Sequence, residues 1–241
     1  MHRYAALLLF ALARPAVAGE AYYALVFSGQ RIPNNPNHAH TFATFVKVSW
    51  AGDGPLRQPA LIESHTISWL PANLVIRSRA LFPERGHNFD LHETLRFLLG
   101  DCQRVSLWGP FPACPELYRL ALERKAQLEG GTVRYKANDL LRNSDRVTNC
   151  IHAVSHIMGG LPLSVFEPGY GETASYAVFL RMRRLLIDER PQTWLATSLG
   201  LGAYPLIYRG NHRPRSGALF GPLYRALGGE RGLQATYGAP F

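Results

Sequence analysis

From Thr41 to Trp50, in "TFATFVKVSW", apolar and polar residues alternate at the period of a half-buried β-strand. Gly52, Asp53, Gly54 and Pro55 then supply a turn, and "PALIESHTISWLP" predicts a second strand between Pro59 and Pro71. The two runs read as an antiparallel pair. Helical signals follow. "NFDLHETLRFLLG" carries Asp90 as N-cap with Glu93 three residues on, a capping box that opens a helix ending before Gly100. "PELYRLALERKAQLEGG" predicts a helix from near Pro115 to a stop at Gly130. A basic helix is expected within "TASYAVFLRMRRLLIDERP", ending before Pro191. In "VTNCIHAVSHIMGG" Thr148 is the expected N-cap and Gly159-Gly160 the stop, which predicts a helix over Asn149 to Met158. From about Gly200 the chain is rich in Gly, Pro and Tyr without periodicity, and is expected either to wrap the domain or to be partly disordered.

The N-terminus changes the compartment. "MHRYAALLLFALARPAVAGEA" begins with a basic His2-Arg3, continues with an apolar run and reaches Ala16-Val17-Ala18, a small-residue cleavage pattern. The run is far short of the ~20 residues needed to cross a bilayer. Residues 1–18 are therefore expected to be a signal peptide, and residues 19–241 a single exported domain, periplasmic or secreted. The net charge of +9 is spread along the chain, with concentrations at "RMRRLL" and "RGNHRPR". Spread positive charge on an exported protein suits anionic cell-wall polymers or lipid headgroups. The aromatics are not interleaved with the basic residues, and no nucleic-acid motif is present, so no nucleic-acid partner is expected.

An odd cysteine count in an exported chain asks which thiol stays free. Cys102 and Cys114 bracket "DCQRVSLWGPFPAC", whose Gly109, Pro110 and Pro112 favour turns, and the two are expected to form a disulfide worth about 2–3 kcal/mol by the chain-entropy estimate. Cys150 is then left over, either buried as core or used. On a helical wheel it shares the inward half with Ile151, Ala153, Val154, Ile157 and Met158, while His152 and His156 fall on the opposite, more polar side. They are neighbours of each other but cannot share a metal with Cys150, and a zinc-protease pattern would need Glu where Ala153 stands. No metal or other cofactor is called for. A cysteine in the first turn of a helix is placed where backbone N–H groups favour a thiolate and an oxyanion.

Such a thiol needs a base. His40 opens the first strand and His65 lies within the second, so His40 can deprotonate Cys150 while His65 orients its ring. "NCIHAV" (149–154), a polar loop that opens a helix, resembles the nucleophile motif of the circularly permuted papain-like superfamily, which includes lecithin:retinol acyltransferase and bacterial NlpC-related hydrolases. In that group a histidine starts a strand, a polar residue follows on the next, and the cysteine comes last, the order of His40, His65 and Cys150 here. The resemblance implies an α+β domain in which an antiparallel sheet packs against helices, with the nucleophile at a helix N-terminus. The wider spacing of the two histidines makes Glu63, on the same side of an ideal strand as His65, the alternative third member. His38 is the alternative base. Asn149, beside the nucleophile, and Tyr135, as a donor to the oxyanion, are the supporting candidates. The activity implied is thiol-dependent hydrolysis or acyl transfer at an amide or ester bond, on a cell-wall peptide first or a lipid second. The alternative is a catalytically silent envelope-binding domain of the same fold.

Overall fold

The computed structural model describes residues 19–50, 59–139, 146–160, 163 and 169–214. The expected signal peptide, the turn at Gly52 to Pro55 and the chain beyond residue 214 lie outside the described residues. The organising strand is β1 (Glu20–Gln30), which pairs antiparallel with β2 (Ala39–Trp50) on one side and with β6 (Arg104–Ala113) on the other. It is buried on both faces. Tyr23, Leu25 and Phe27 enter one core cluster, and Ala24 and Val26 the other. Leu25 and Phe27 are fully buried, a gain of about 1.5–3 kcal/mol each. β3 (Pro59–Ile67) pairs antiparallel with β2, and β9 (Leu206–Tyr208) pairs parallel with β6, to complete a five-stranded sheet ordered β3-β2-β1-β6-β9.

Helices cover both faces. On the Leu25 face, α1 (Leu91–Gly100) and α5 (Thr193–Ser198) contribute Leu91, Leu95, Leu98 and Leu195. On the Ala24 face lie α2 (Pro115–Glu129), α3 (Cys150–Ser155) and α4 (Glu172–Met182), with Leu117, Val154 and Phe179 among their buried residues. The α1 capping box forms as expected: Asp90 accepts from the Glu93 backbone N–H, and Glu93 accepts from that of Asp90. α2 begins at Pro115 and is capped by Gly130. A smaller sheet, β4 (Trp69–Pro71), β5 (Glu84–Asn88), β7 (Arg134–Tyr135) and β8 (Val147–Thr148), leads the chain into α3. The protein is thus α+β.

Three expectations need correction. The strand expected from Pro59 to Pro71 is broken at Ser68, between β3 and β4. The N-cap of α3 is Asn149, whose side chain accepts from the His152 N–H; Thr148 belongs to β8. The third concerns the disulfide. Cys102 and Cys114 flank β6, whose ten residues span about 33 Å when extended, several times the ~4.4–6.8 Å that a disulfide bridges between Cα atoms. The segment read as a turn is strand. Gly109 has a positive φ of 103°, and a Cβ there would meet the Ala24 carbonyl at 2.6 Å, so this glycine serves a bulge against β1 and not a chain reversal. All three cysteines are free thiols in this arrangement.

The described end of the chain is tied down by a buried carboxylate. Glu172, 2% exposed at the start of α4, accepts from Arg209 at 2.6 Å, from Arg104 at 3.0 Å and from Ser106. Its backbone N–H donates to Gln30 Oε1 at 2.9 Å. One side chain thereby joins α4, β6 and the residue after β9, and the adjoining amide adds β1. Removing it leaves Arg209 buried without its counter-charge, so Glu172→Ala is expected to lower stability by about 3–5 kcal/mol in urea unfolding; a loss below 1 kcal/mol would show that solvent replaces the carboxylate. The full chain denatured without reductant is expected to take up three thiol labels by intact mass, one for each cysteine. Uptake of a single label would reinstate the disulfide.

Candidate functional site

β2 outruns its neighbour. Pairing with β3 starts at Ala43↔Ile67, so residues 39–42 are paired with β1 alone and the other edge of this stretch is not covered by β3. Cys150, 8% exposed, meets this edge: its sulfur accepts hydrogen bonds from the backbone amides of Thr41 and Ile151, and from its own. Asn149 fixes where α3 starts. Its Oδ1 accepts from the His152 N–H at 2.8 Å and its Nδ2 donates to Asp139 at 2.9 Å. Cys150, His40, Thr41 and Tyr135 line one small cavity, closed further by Pro36, Ala39, Ile76 and Tyr170. At about 10 Å³ it is no larger than the space one water occupies.

His40 is fully buried. Its ring stacks on Phe42 at 5.4 Å between centroids, and its Nε2 lies 2.9 Å from Ser68 Oγ. Nδ1 is buried with no hydrogen-bond partner, so no bond joins it to the thiol in this closed arrangement. Burial dominates the electrostatics of both groups. It pushes the His40 imidazole down to about 3 and the Cys150 thiol up to about 11, against the three amides that favour thiolate. At neutral pH the resting site therefore holds a neutral thiol and a neutral imidazole. Burial also raises the Tyr135 hydroxyl well above its ordinary value, with Cys150 adding to the effect, so Tyr135 faces the cavity as a phenol.

His65 is not the partner of His40. Residues directly opposite in an antiparallel pair share a face, and His65 pairs with Phe45, an odd-numbered position of β2, whereas His40 shares the even-numbered face with Phe42 and Thr44. The Thr44–Thr66 hydroxyl bond at 2.9 Å marks that face. His65 instead packs edge-on against Tyr118 of α2, at 5.7 Å between ring centroids. Glu63 pairs with Lys47 on the same odd-numbered face, away from the His40 ring, with the two charges 4.0 Å apart. The polar group that meets His40 is Ser68, at the break between β3 and β4. Its signal in the sequence was parity: 64, 66 and 68 alternate away from His65. His38, the alternative base, lies outside the cavity, bonded through Nδ1 to Asp101 at 2.6 Å beside Arg31.

The helix histidines also differ from expectation. His152 is buried and not on an outward polar side, because Asp139 and Leu163 cover it: its Nε2 lies 3.2 Å from the Leu163 carbonyl and 3.5 Å from Asp139. Its ring stacks on His156 at 5.4 Å. Burial lowers its pKa, with Asp139 opposing.

The fold and site define an α+β protein in which a buried cysteine and a buried histidine meet the uncovered edge of β2, the thiol on the Ala24 face of the sheet and the imidazole on the Leu25 face. Comparison with protein-family models, with curated proteins and with solved structures finds no match.

Burial of His40 sets a pH dependence. Folded, the ring binds a proton only near pH 3; in the unfolded chain it does so near ~6.5. Between those values the unfolded state holds the extra proton, so this group's contribution is intact above pH ~6.5 and is lost as pH falls towards 3. The urea midpoint of the wild type is expected to fall more steeply over that window than that of His40→Asn. Parallel curves would place His40 in water.

Proposed function

We propose that this chain is an exported, thiol-dependent hydrolase or acyltransferase of the permuted papain-like kind, acting at an amide or ester bond with Cys150 as nucleophile and His40 as base. The observation that carries the reading is the shared cavity. Cys150, at the first residue of a helix, and His40, whose imidazole has a free, buried nitrogen, both border this space beside the backbone amides of Thr41 and Ile151, and proton transfer requires the ring to come round the uncovered edge of β2 from the Leu25 face.

In the reaction, Cys150 Sγ attacks the substrate carbonyl while its proton passes to His40 Nδ1. The oxyanion that forms is met by backbone N–H groups at the start of α3 and on β2, with the Tyr135 hydroxyl as a further donor. His40 returns the proton to the departing amine or alcohol, leaving a thioester. Water, or an acceptor amine or alcohol, then attacks that thioester with His40 again as base, and the thiol is restored. Ser68, in place of His65, holds the imidazole.

A substrate reaches this site only if the cavity widens. A cleft of about 860 Å³ lies next to it, and Pro36 and Ile76 line both. Displacing these two side chains joins cleft and cavity. The cleft walls carry Arg77, Arg79, Asn35 and Asn37 over apolar Leu74, Val75 and Phe97, a mixture that suits a cell-wall peptide or the ester or amide of a lipid. The catalytically silent alternative draws support from the thiol held near 11 and the absence of a thiol–imidazole bond.

Activated acyl esters separate the two. Exposed to a p-nitrophenyl ester, the full chain is expected to acquire a hydroxylamine-labile acyl group mapped to Cys150, and His40→Ala to slow this step about 10²–10⁴-fold. Acylation confined to Cys102, or a rate at Cys150 indifferent to His40, would favour the silent domain.

A further inference from the structure

Exposed apolar side chains gather on one loop. Between β4 and β5 the chain runs "ANLVIRSRALFP" (72–83), and Val75, Leu81 and Phe82 stand in solvent, Phe82 with 82% of its surface exposed. The loop is not slack. Asn138 Nδ2 donates to the Ser78 carbonyl at 2.8 Å and to the Ala80 carbonyl at 2.9 Å, and the Ser78 amide donates to Asn37 Oδ1 at 2.8 Å. Ser78 and Asn138 are buried, so two asparagines from elsewhere in the chain hold this backbone in a shape that keeps its apolar side chains in water. A cluster displayed in this way marks a contact surface.

Its charge says what it meets. Arg77, Arg79 and Arg85 are exposed on the loop and on the strand it enters, against one acid, Glu84, which pairs with Arg77 at 3.1 Å. Arg79 and Arg85 have no ion-pair partner among the described residues. Arg85 also stands directly opposite Arg134 of β7, likewise exposed and without an ion pair among the described residues, and like charges facing across two strands repel. An anionic partner turns that repulsion into attraction. The other basic concentration, at the end of α4, differs: Arg183 is paired with Glu189, Arg190 with Asp188, and Arg184 donates to the Met158 carbonyl. A second copy of the chain, docked symmetrically, would bring the same arginines against themselves. A bilayer with anionic headgroups accepts both features at once, the apolar tip at the acyl boundary and the guanidinium groups at headgroup level.

We propose that the loop between β4 and β5 docks this protein on anionic bilayers, with Leu81 and Phe82 entering the headgroup region and Arg79, Arg85 and Arg134 meeting the lipid phosphates. Val75, Arg77 and Arg79 also wall the cleft of about 860 Å³, and Ile76 among them reaches the Cys150 cavity, so docking sets the cleft mouth against the membrane. Docking itself does not depend on the chemistry of Cys150. Its consequence for substrate does rest on the proposed thiol mechanism: a nucleophile reached from a membrane-facing cleft selects a lipid ester or amide over a cell-wall peptide.

The test is co-sedimentation of the full chain with vesicles of phosphatidylglycerol and, separately, of phosphatidylcholine. The wild type is expected to prefer phosphatidylglycerol and to be released by salt. Arg79→Gln is expected to weaken that binding about fivefold. Phe82→Ser is expected to weaken it about tenfold or more, and Phe82→Trp to retain it. Arg183→Gln, at the end of α4, removes the same charge and is expected to change little. Every variant shares the apolar N-terminal run, so differences between them read the loop, and urea midpoints equal to the wild type show that each one folds. Phe82→Ser bound as well as the wild type, or Arg183→Gln weakened as much as Arg79→Gln, would overturn the proposal. Self-association without vesicles that is lost in Phe82→Ser would overturn it too, in favour of a second copy. Loop-dependent vesicle binding with Cys150 untouched by acyl esters leaves docking standing and removes the lipid substrate; acylation of Cys150 in a chain whose vesicle binding ignores the loop does the reverse.

Discussion

Four residues of unmatched strand decide where chemistry can happen in this protein. Because β3 joins β2 only from Ala43 onwards, the start of β2 presents an edge, and edges carry backbone groups that need partners. A third full-length strand there would have consumed the Thr41 amide. Instead the amide donates to Cys150, the helix that carries Cys150 is drawn against the sheet, and Ser68, released from the strand, turns to His40. The β3–β4 break, the seat of α3 and the orientation of the imidazole are consequences of one register.

Closing that edge has an electrostatic cost. Burying a thiol and an imidazole on either side of this edge moves their pKa values apart in the unproductive direction, towards neutral thiol and neutral ring. The amides around the sulfur oppose this without overcoming it, and α3, six residues long, offers little dipole to add. Whatever opens the cavity rehydrates both groups and brings their pKa values back towards each other. On the proposed reading, substrate entry past Pro36 and Ile76 and activation of the nucleophile are therefore one event, and the closed state protects the thiol between turnovers.

Local signals in the sequence were legible and non-local ones were not. α1 and α2 were readable to within a residue, since a capping box, a proline at the first turn and a terminal glycine act over a few residues. β1, the central strand, went unread: buried on both faces, it lacks the alternation that marked β2. β6 was mistaken for a turn because Gly109, Pro110 and Pro112, turn formers in isolation, here sit at a bulge and along a strand. The same division runs through the site. Cys150 and His40 stood out by residue type and by position at the start of their elements, but the third group depended on register. A choice between His65 and Ser68 turns on which residue faces Phe45, and only the paired strands contain that information.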